Sequence, residues 1–337
     1  MIPQANIRMQ SNGYFIISLD FELMWGMRDK KTIENYGENV EGVHRAIPAM
    51  LNLFERFNVS VTFSTVGFLF MRTKQELLNH TPNILPEYQD QNLSPYGDYL
   101  NKIGNDASND PYHYGAELVD LIKQHPQHEI GTHTFSHYYC LEPGQTLESF
   151  RADLAMAIRV GNENGLNTQS LVFPRNQFNR DYLDVCRNLG ITCYRGNETS
   201  WIYEARNGKE DNLWRRLFRL LDAYLPLSGY NIHDPVECMK EQPINIPSSR
   251  FLRPYSSKLK WLDGLRLWRI KQSMTAAAKQ RKIYHLWWHP HNFGKDLTEN
   301  LKFLTAILEH QQHLQKKYGF ICTNMSKFAD LITRATK

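Results

Sequence analysis

Several things are scarce in this 337-residue chain, and each absence narrows what it can be. Cysteine occurs only five times, at Cys140, Cys186, Cys193, Cys238 and Cys322, never as Cys-x-x-Cys. An odd, unpatterned set argues against a disulfide framework or a zinc–thiolate knot and predicts reduced thiols in a cytoplasmic protein. No apolar run approaches the ~18–20 residues of a membrane span; the mean hydropathy is -0.52. The opening residues, Met1 to Arg8, lack a basic stretch followed by an apolar one, so no secretory leader is expected. Charge of one sign is also missing. A net charge of +4 and a pI near 8.7 are too mild to argue for nucleic-acid binding. Internal repeats and low-complexity linkers are absent from the sequence.

What is present is an alternation of strand-like and helix-like segments, the pattern of a parallel α/β architecture. Strands are predicted at 14–20, 59–66, 128–133, 170–174, 191–195, 283–288 and 319–323. Helices are predicted at 41–57, 115–124, 146–164, 180–189, 212–222, 258–281, 296–316 and 325–333. About seven strand–helix units in one chain fit one closed or nearly closed barrel domain over 1–337 better than two domains. Two stretches read as insertions: 73–114, rich in Asn, Asp, Pro and Tyr, and 203–282, mixing basic, aromatic and proline-containing segments. Insertions of that length usually shape access to a site.

Three of the strand-like runs end in ionisable residues. Tyr14 to Leu19 runs into Asp20-Phe21-Glu22, Glu129 to Thr132 into His133-Thr134-Phe135-Ser136-His137, and Tyr284 to Trp288 into His289-Pro290-His291. A barrel gathers strand C-termini into one site. His133 and His137 are four apart, and one helical turn brings such residues to roughly 5–6 Å on one face, suiting two nitrogens on one metal ion. Strand alternation puts Asp20 and Glu22 on a common face. Two imidazoles and one carboxylate make a common catalytic zinc set. The remaining carboxylate can then serve as base and His289 as the acid that protonates a leaving group. His285 reads as a core or supporting residue, and His291 as lining the pocket.

These residues resemble the polysaccharide deacetylases with NodB homology, carbohydrate esterase family 4 and its relatives. Ser18-Leu19-Asp20-Phe21-Glu22 is similar to the first family motif, His133 to His137 to the H-[ST]-x-x-H motif, Phe173-Pro174-Arg175-Asn176-Gln177 to the arginine- and proline-containing motif, and Leu286 to Pro290 to the motif bearing the acid. The resemblance implies a distorted (β/α)7 barrel, a divalent metal (usually zinc), and removal of an acyl group from an N-acylated amino sugar. It implies Asp20 as base, Glu22, His133 and His137 as ligands, and His289 as acid. Arg175 is expected to pair with Asp20 or to bind a sugar phosphate. Arg195 and Asn197, standing near the place of a missing fourth motif, are expected to line the site. Trp25, Tyr138, Trp201, Trp288 and Phe293 flank motif residues and are expected to offer rings to a sugar.

The stretch 250–282 sets ten Lys and Arg against Asp263 alone, with Trp261, Leu262, Leu265 and Trp268 at helical spacing. That pattern predicts either a solvated basic helix or contact with an anionic membrane face, where the sugar would be lipid-linked. The expected function is therefore cytoplasmic deacetylation of an intermediate in surface-polysaccharide synthesis. A deformylase or other amide hydrolase, and a non-catalytic sugar-binding module, are the rival readings.

Overall fold

A computed structural model describes residues 12–198, 200, 213–225 and 227–334. Its centre is β1 (Tyr14–Phe21), eight residues buried without exception. Strands buried on both faces read as continuous apolar runs, which is why this one was evident in the sequence. β1 pairs in parallel with β8 (Ile283–Trp288) along one edge. On the other edge β9 (Ile321–Thr323) takes its first half and β2 (Thr62–Thr65) its second. From β2 the sheet continues through β3 (Glu129–Thr132), β4 (Ser170–Val172) and β5 (Cys193–Arg195), all parallel.

The stretch 203–282, expected as an insertion, supplies the closing stave. β6 (Ile244–Asn245) pairs with β5, and β7 (Arg250–Phe251) pairs with β8. The residues between continue both ladders. Ile246 and Ser248 donate backbone N–H bonds to Tyr194 and Gly196, whereas Ser249 and Leu252 donate to His285 and Trp287. One extended run, 244–252, thus bridges β5 and β8 and closes a distorted (β/α)7 barrel.

Helices pack around the barrel, among them Val43–Arg56, Leu147–Glu163, Asp263–Gln280 and Leu297–Tyr318. The predicted helix over 180–189 divides into a 3-10 turn, Arg180–Tyr182, capped by the Asn179 side chain, and a helix, Leu183–Asn188, with Gly190 at φ 90° beyond it. The excursion 73–114 packs against the barrel's C-terminal end. Tyr112 O accepts from Met24 N, His113 O from the Trp25 indole, and the Tyr88 hydroxyl from Tyr139 N.

Gly42 sits where the helix Ile33–Glu41 meets Val43–Arg56, and a Cβ added there would stand 2.2 Å from Gly294 O. That close approach seats the short helix His291–Gly294, which follows the third ionisable cluster. Gly42→Ala is expected to lower stability by about 1–3 kcal/mol, as overpacking against backbone does, with a lower denaturant midpoint and an unchanged slope as the readout.

Candidate metal centre and active site

Glu22, just beyond β1, is the point on which the site converges. Its carboxyl lies against Gly26, where an added Cβ would come within 2.0 Å of Glu22 Cδ. Oε2 stands 3.0 Å from His137 Nε2 and 3.4 Å from His133 Nε2. Oε1 faces the other way, 3.6 Å from His289 Nε2 and 3.9 Å from His291 Nδ1. Glu22, His133, His137 and His291 are buried, whereas the His289 side chain is 21% exposed and marks the mouth.

The two motif histidines meet by a route other than the predicted helical turn. Residues 133–137 form a loop in which Thr134 (φ 63°) and His137 (φ 58°) take left-handed conformations. Such a backbone is strained for a β-branched residue and persists only where its surroundings hold it. Here Thr134 Oγ1 accepts from Tyr138 N at 2.7 Å, and buried Asp153 accepts from the N–H groups of Phe135 and Ser136 and from the Ser136 hydroxyl. Burial pushes the Asp153 carboxyl up to about 6 in spite of those bonds. The imidazole rings end 5.0 Å apart.

Hydrogen bonding decides which histidine nitrogens face Glu22. His133 Nδ1 lies 2.8 Å from Val172 O, which can only accept, so Nδ1 carries the proton and the Nε2 lone pair points at Glu22 Oε2. A lone pair facing a carboxylate oxygen at 3.4 Å is repulsive unless a cation lies between them. Burial pushes His137 down to about 3, which keeps it neutral, the form that ligates metals. The donor set therefore fits a divalent cation held by Glu22, His133 and His137.

Asp20 serves a different partner. Arg195 donates to both of its oxygens at 2.7 Å, to Ser18 Oγ at 2.9 Å and to Asn176 Oδ1 at 2.9 Å, and lies over the Trp287 ring. Burial would raise the Asp20 carboxyl, but the charge of Arg195 and its hydrogen bonds outweigh it and leave it low. Glu22 is likewise held well below the usual range, burial being overcome by His289 foremost and by His133 and His137. His285 closes the floor of the site. Its Nδ1 donates to Ile246 O and its Nε2 pairs with Ser18 Oγ.

Other expectations need correction. Arg175 does not reach Asp20; it pairs with Asp29, approaches Glu142 at 3.9 Å and lies 4.2 Å from the Tyr139 ring centre. Asn197 braces the loop by donating to Asn176 O. Trp25 is fully buried among Phe68, Tyr99 and His113, too enclosed to stack on a sugar. Tyr138 points into the core, its hydroxyl 2.7 Å from Ser149 Oγ. Trp288 and Phe293 stack on each other in the core. Trp201 lies outside the described residues. Two of the expected positions, Tyr138 and Trp288, stand one residue away from rings that do border the cluster. Tyr139 lies against His137, and Trp287 lies beside His289. On β8 the alternation from His285 to His289 was the available signal for Trp287.

Barrel and cluster together define a class: a parallel (β/α)7 barrel with its ionisable residues gathered at the strand C-termini. The amino-acid sequence is more particular. Residues 40–194 match the model of the polysaccharide deacetylase family, so this part of the chain is similar to that family. No curated protein matches the chain. Among solved structures, one described as a polysaccharide deacetylase from Mycobacterium smegmatis superposes with a TM-score of 0.60 at 12% identity, covering 97% of this chain and 93% of its own. An allantoinase superposes at 0.50 with 10% identity, covering 94% of this chain and 88% of its own. At such identities the likeness is one of fold.

Removing Arg195 strands a buried carboxylate. Arg195→Ala is expected to cost about 3–5 kcal/mol at neutral pH, whereas Arg175→Ala leaves Asp20 paired and costs less. The sign with pH follows from the lowered Asp20 value. The pair stabilises the fold above the unfolded carboxyl value of ~3.9, and that contribution fades as pH falls through the lower folded value. Denaturant midpoints at neutral and acid pH are expected to show the two proteins converging in acid. Asp153→Ala, which frees the 133–137 loop, is expected to weaken zinc binding by about tenfold or more in a metal titration.

Proposed function

We propose that this protein is a metal-dependent hydrolase that removes an N-acetyl or related acyl group from an amino sugar. The observation that carries the reading is the convergence of Glu22 with Nε2 of both His133 and His137, next to an ionised Asp20 and a partly exposed His289. The match of residues 40–194 to the polysaccharide deacetylase family supports a carbohydrate substrate and an amide bond.

A divalent cation held by Glu22, His133 and His137, zinc being the usual one for such donors, would polarise the amide carbonyl and acidify water. The remaining work belongs to the chain's own residues. Asp20, kept ionised by Arg195, accepts the proton of the attacking water. Its Oδ2 lies 3.8 Å from His289 Nε2, so base and acid flank one small space. His289 is steadied through Nδ1 by Asn292 Oδ1 and donates a proton from Nε2 to the departing amine. Arg175, lying over the buried Tyr139 ring, borders the His137 side of that space, where it would meet the sugar.

No helix among the described residues is long and apolar enough to cross a membrane. We place the reaction in the cytoplasm, on an intermediate of surface-polysaccharide synthesis. The rival reading, hydrolysis of a formamido sugar or a small cyclic amide, uses the same residues and differs only in what the pocket admits.

Purified protein is expected to carry one zinc per chain by metal analysis, and His133→Ala to lose it. Asp20→Asn and His289→Ala are expected to retain the metal while kcat falls by about 10²–10⁴. Loss of metal from Asp20→Asn would make Asp20 a ligand and overturn the assignment of the base. Acetate released in preference to formate from N-acylated amino sugars supports the deacetylase; formate alone supports the rival.

A further inference from the structure

Outside the site, the most unusual surface is apolar. Trp261 is 76% exposed, Trp214 70% and Trp268 52%, and Leu217, Leu221, Leu225, Leu227 and Leu265 are exposed as well. They belong to two stretches that a buried ion network fastens together. Asp222, at the end of the helix Leu213–Asp222, accepts from Arg250 on the closing stave and from Arg269 on the helix Asp263–Gln280. Arg269 also donates to Leu225 O and Gly229 O, and Ser228 N donates to Asp222. The arginines and the acid are spent inward, and the large apolar residues of both stretches are left facing out.

Charge favours one kind of occupant. Asp222 and Asp263 are the only acidic residues in 213–230 and 257–272, and both are bonded to arginine. Lys258 and Lys260 stand exposed beside Trp261. Interfaces between proteins are depleted in lysine, whereas a bilayer surface takes tryptophan rings at the headgroup level and lysines against anionic lipid. A short connection also joins the face to the mouth of the site. Phe251, whose ring is 5.8 Å from His289, lies only six residues before the turn Ser257–Leu262 that carries Trp261. Tyr255 on that connection is held by Asn300, which also bonds the carbonyl of Asn292.

We infer that Trp214, Leu217, Leu221, Trp261, Leu265 and Trp268 form a docking face for an anionic phospholipid bilayer. Docking there brings His289 and Glu22 close to the membrane plane, where a lipid-linked amino sugar would present its amide. The choice of that substrate rests on the hydrolase reading above, whereas docking itself does not.

Vesicle co-sedimentation of the full chain, without substrate, tests the face. Vesicles containing phosphatidylglycerol are expected to carry down at least about tenfold more protein than phosphatidylcholine alone, and added salt is expected to release it. Combined Trp214→Ala, Trp261→Ala and Trp268→Ala, and separately Lys258→Glu with Lys260→Glu, are expected to abolish sedimentation with melting temperature and hydrolysis of a water-soluble substrate unchanged. Wild-type protein that stays in the supernatant, or variants that bind as well as wild type, would overturn the inference. So would self-association that the tryptophan variant abolishes in the absence of vesicle binding, which assigns the face to a second copy. A failed vesicle assay counts against the face; a failed turnover assay with binding intact counts against the chemistry.

Discussion

A carboxylate buried near the end of a central barrel strand can stay ionised only if something opposite neutralises it. For Asp20 that partner is Arg195, at the end of β5, whose two terminal nitrogens each donate a hydrogen bond to the carboxylate. β1 and β5 are not neighbours in the sheet, so the pair spans the barrel interior. The arginine in turn needs its remaining donors satisfied and its faces covered. Ser18 and Asn176 take the further donors of the two terminal nitrogens, Nε is left without a partner among the described residues, and Trp287 covers one face. Residues from β1, the end of β4, β5 and β8 are thereby committed to one ionised carboxylate. An unpaired charge at that depth would cost several kcal/mol, so the closed barrel and the low Asp20 value depend on each other.

Glu22 lies two residues away in a different setting, and that contrast divides the labour. Asp20 is surrounded by permanent positive charge, whereas Glu22 is surrounded by imidazoles. One of these, His133, turns a lone pair towards it because its other nitrogen is committed to Val172 O. Guanidinium holds an acid ionised without competing for the same space as a metal. Neutral imidazoles can share a metal with a carboxylate. Two acids of similar intrinsic strength are thus given distinct environments by their neighbours, which suits the separate tasks of base and ligand proposed for them.

Much of the barrel was legible in the sequence because strands buried on both faces leave continuous apolar runs. The closing stave was not. Its residues, Ile244 to Leu252, include Pro247, Ser248 and Ser249, and its pairing is shared between two partners, so neither half is long enough to register as a strand. In the site, the ionisable residues could be located because they sit just past strand ends. The ring positions were misread because the alternation rule holds on β8, where it selects Trp287, but not in the 133–137 loop, where left-handed residues redirect the chain towards Tyr139. Asp153, which holds that loop, sits within a helix and looks from sequence like any surface carboxylate; only the fold shows that it is buried.

Arg175 shows why a motif and a role can separate. The arginine of the proline-containing segment was expected to pair with Asp20, yet Arg175 and Asn176 both take left-handed backbone and the guanidinium turns to Asp29 and Tyr139. What Asp20 requires is a bidentate cation from across the barrel, and a side chain from β5 meets that requirement as well as one from β4 if it points inward. Once Arg195 does so, a second arginine beside Asp20 would repel it. Arg175 is then confined to the outer wall, among Asp29, Glu142 and the Tyr139 ring, where its charge faces the side of the site that borders His137. The demand for one positive charge at the barrel floor thus determines where the next one can stand.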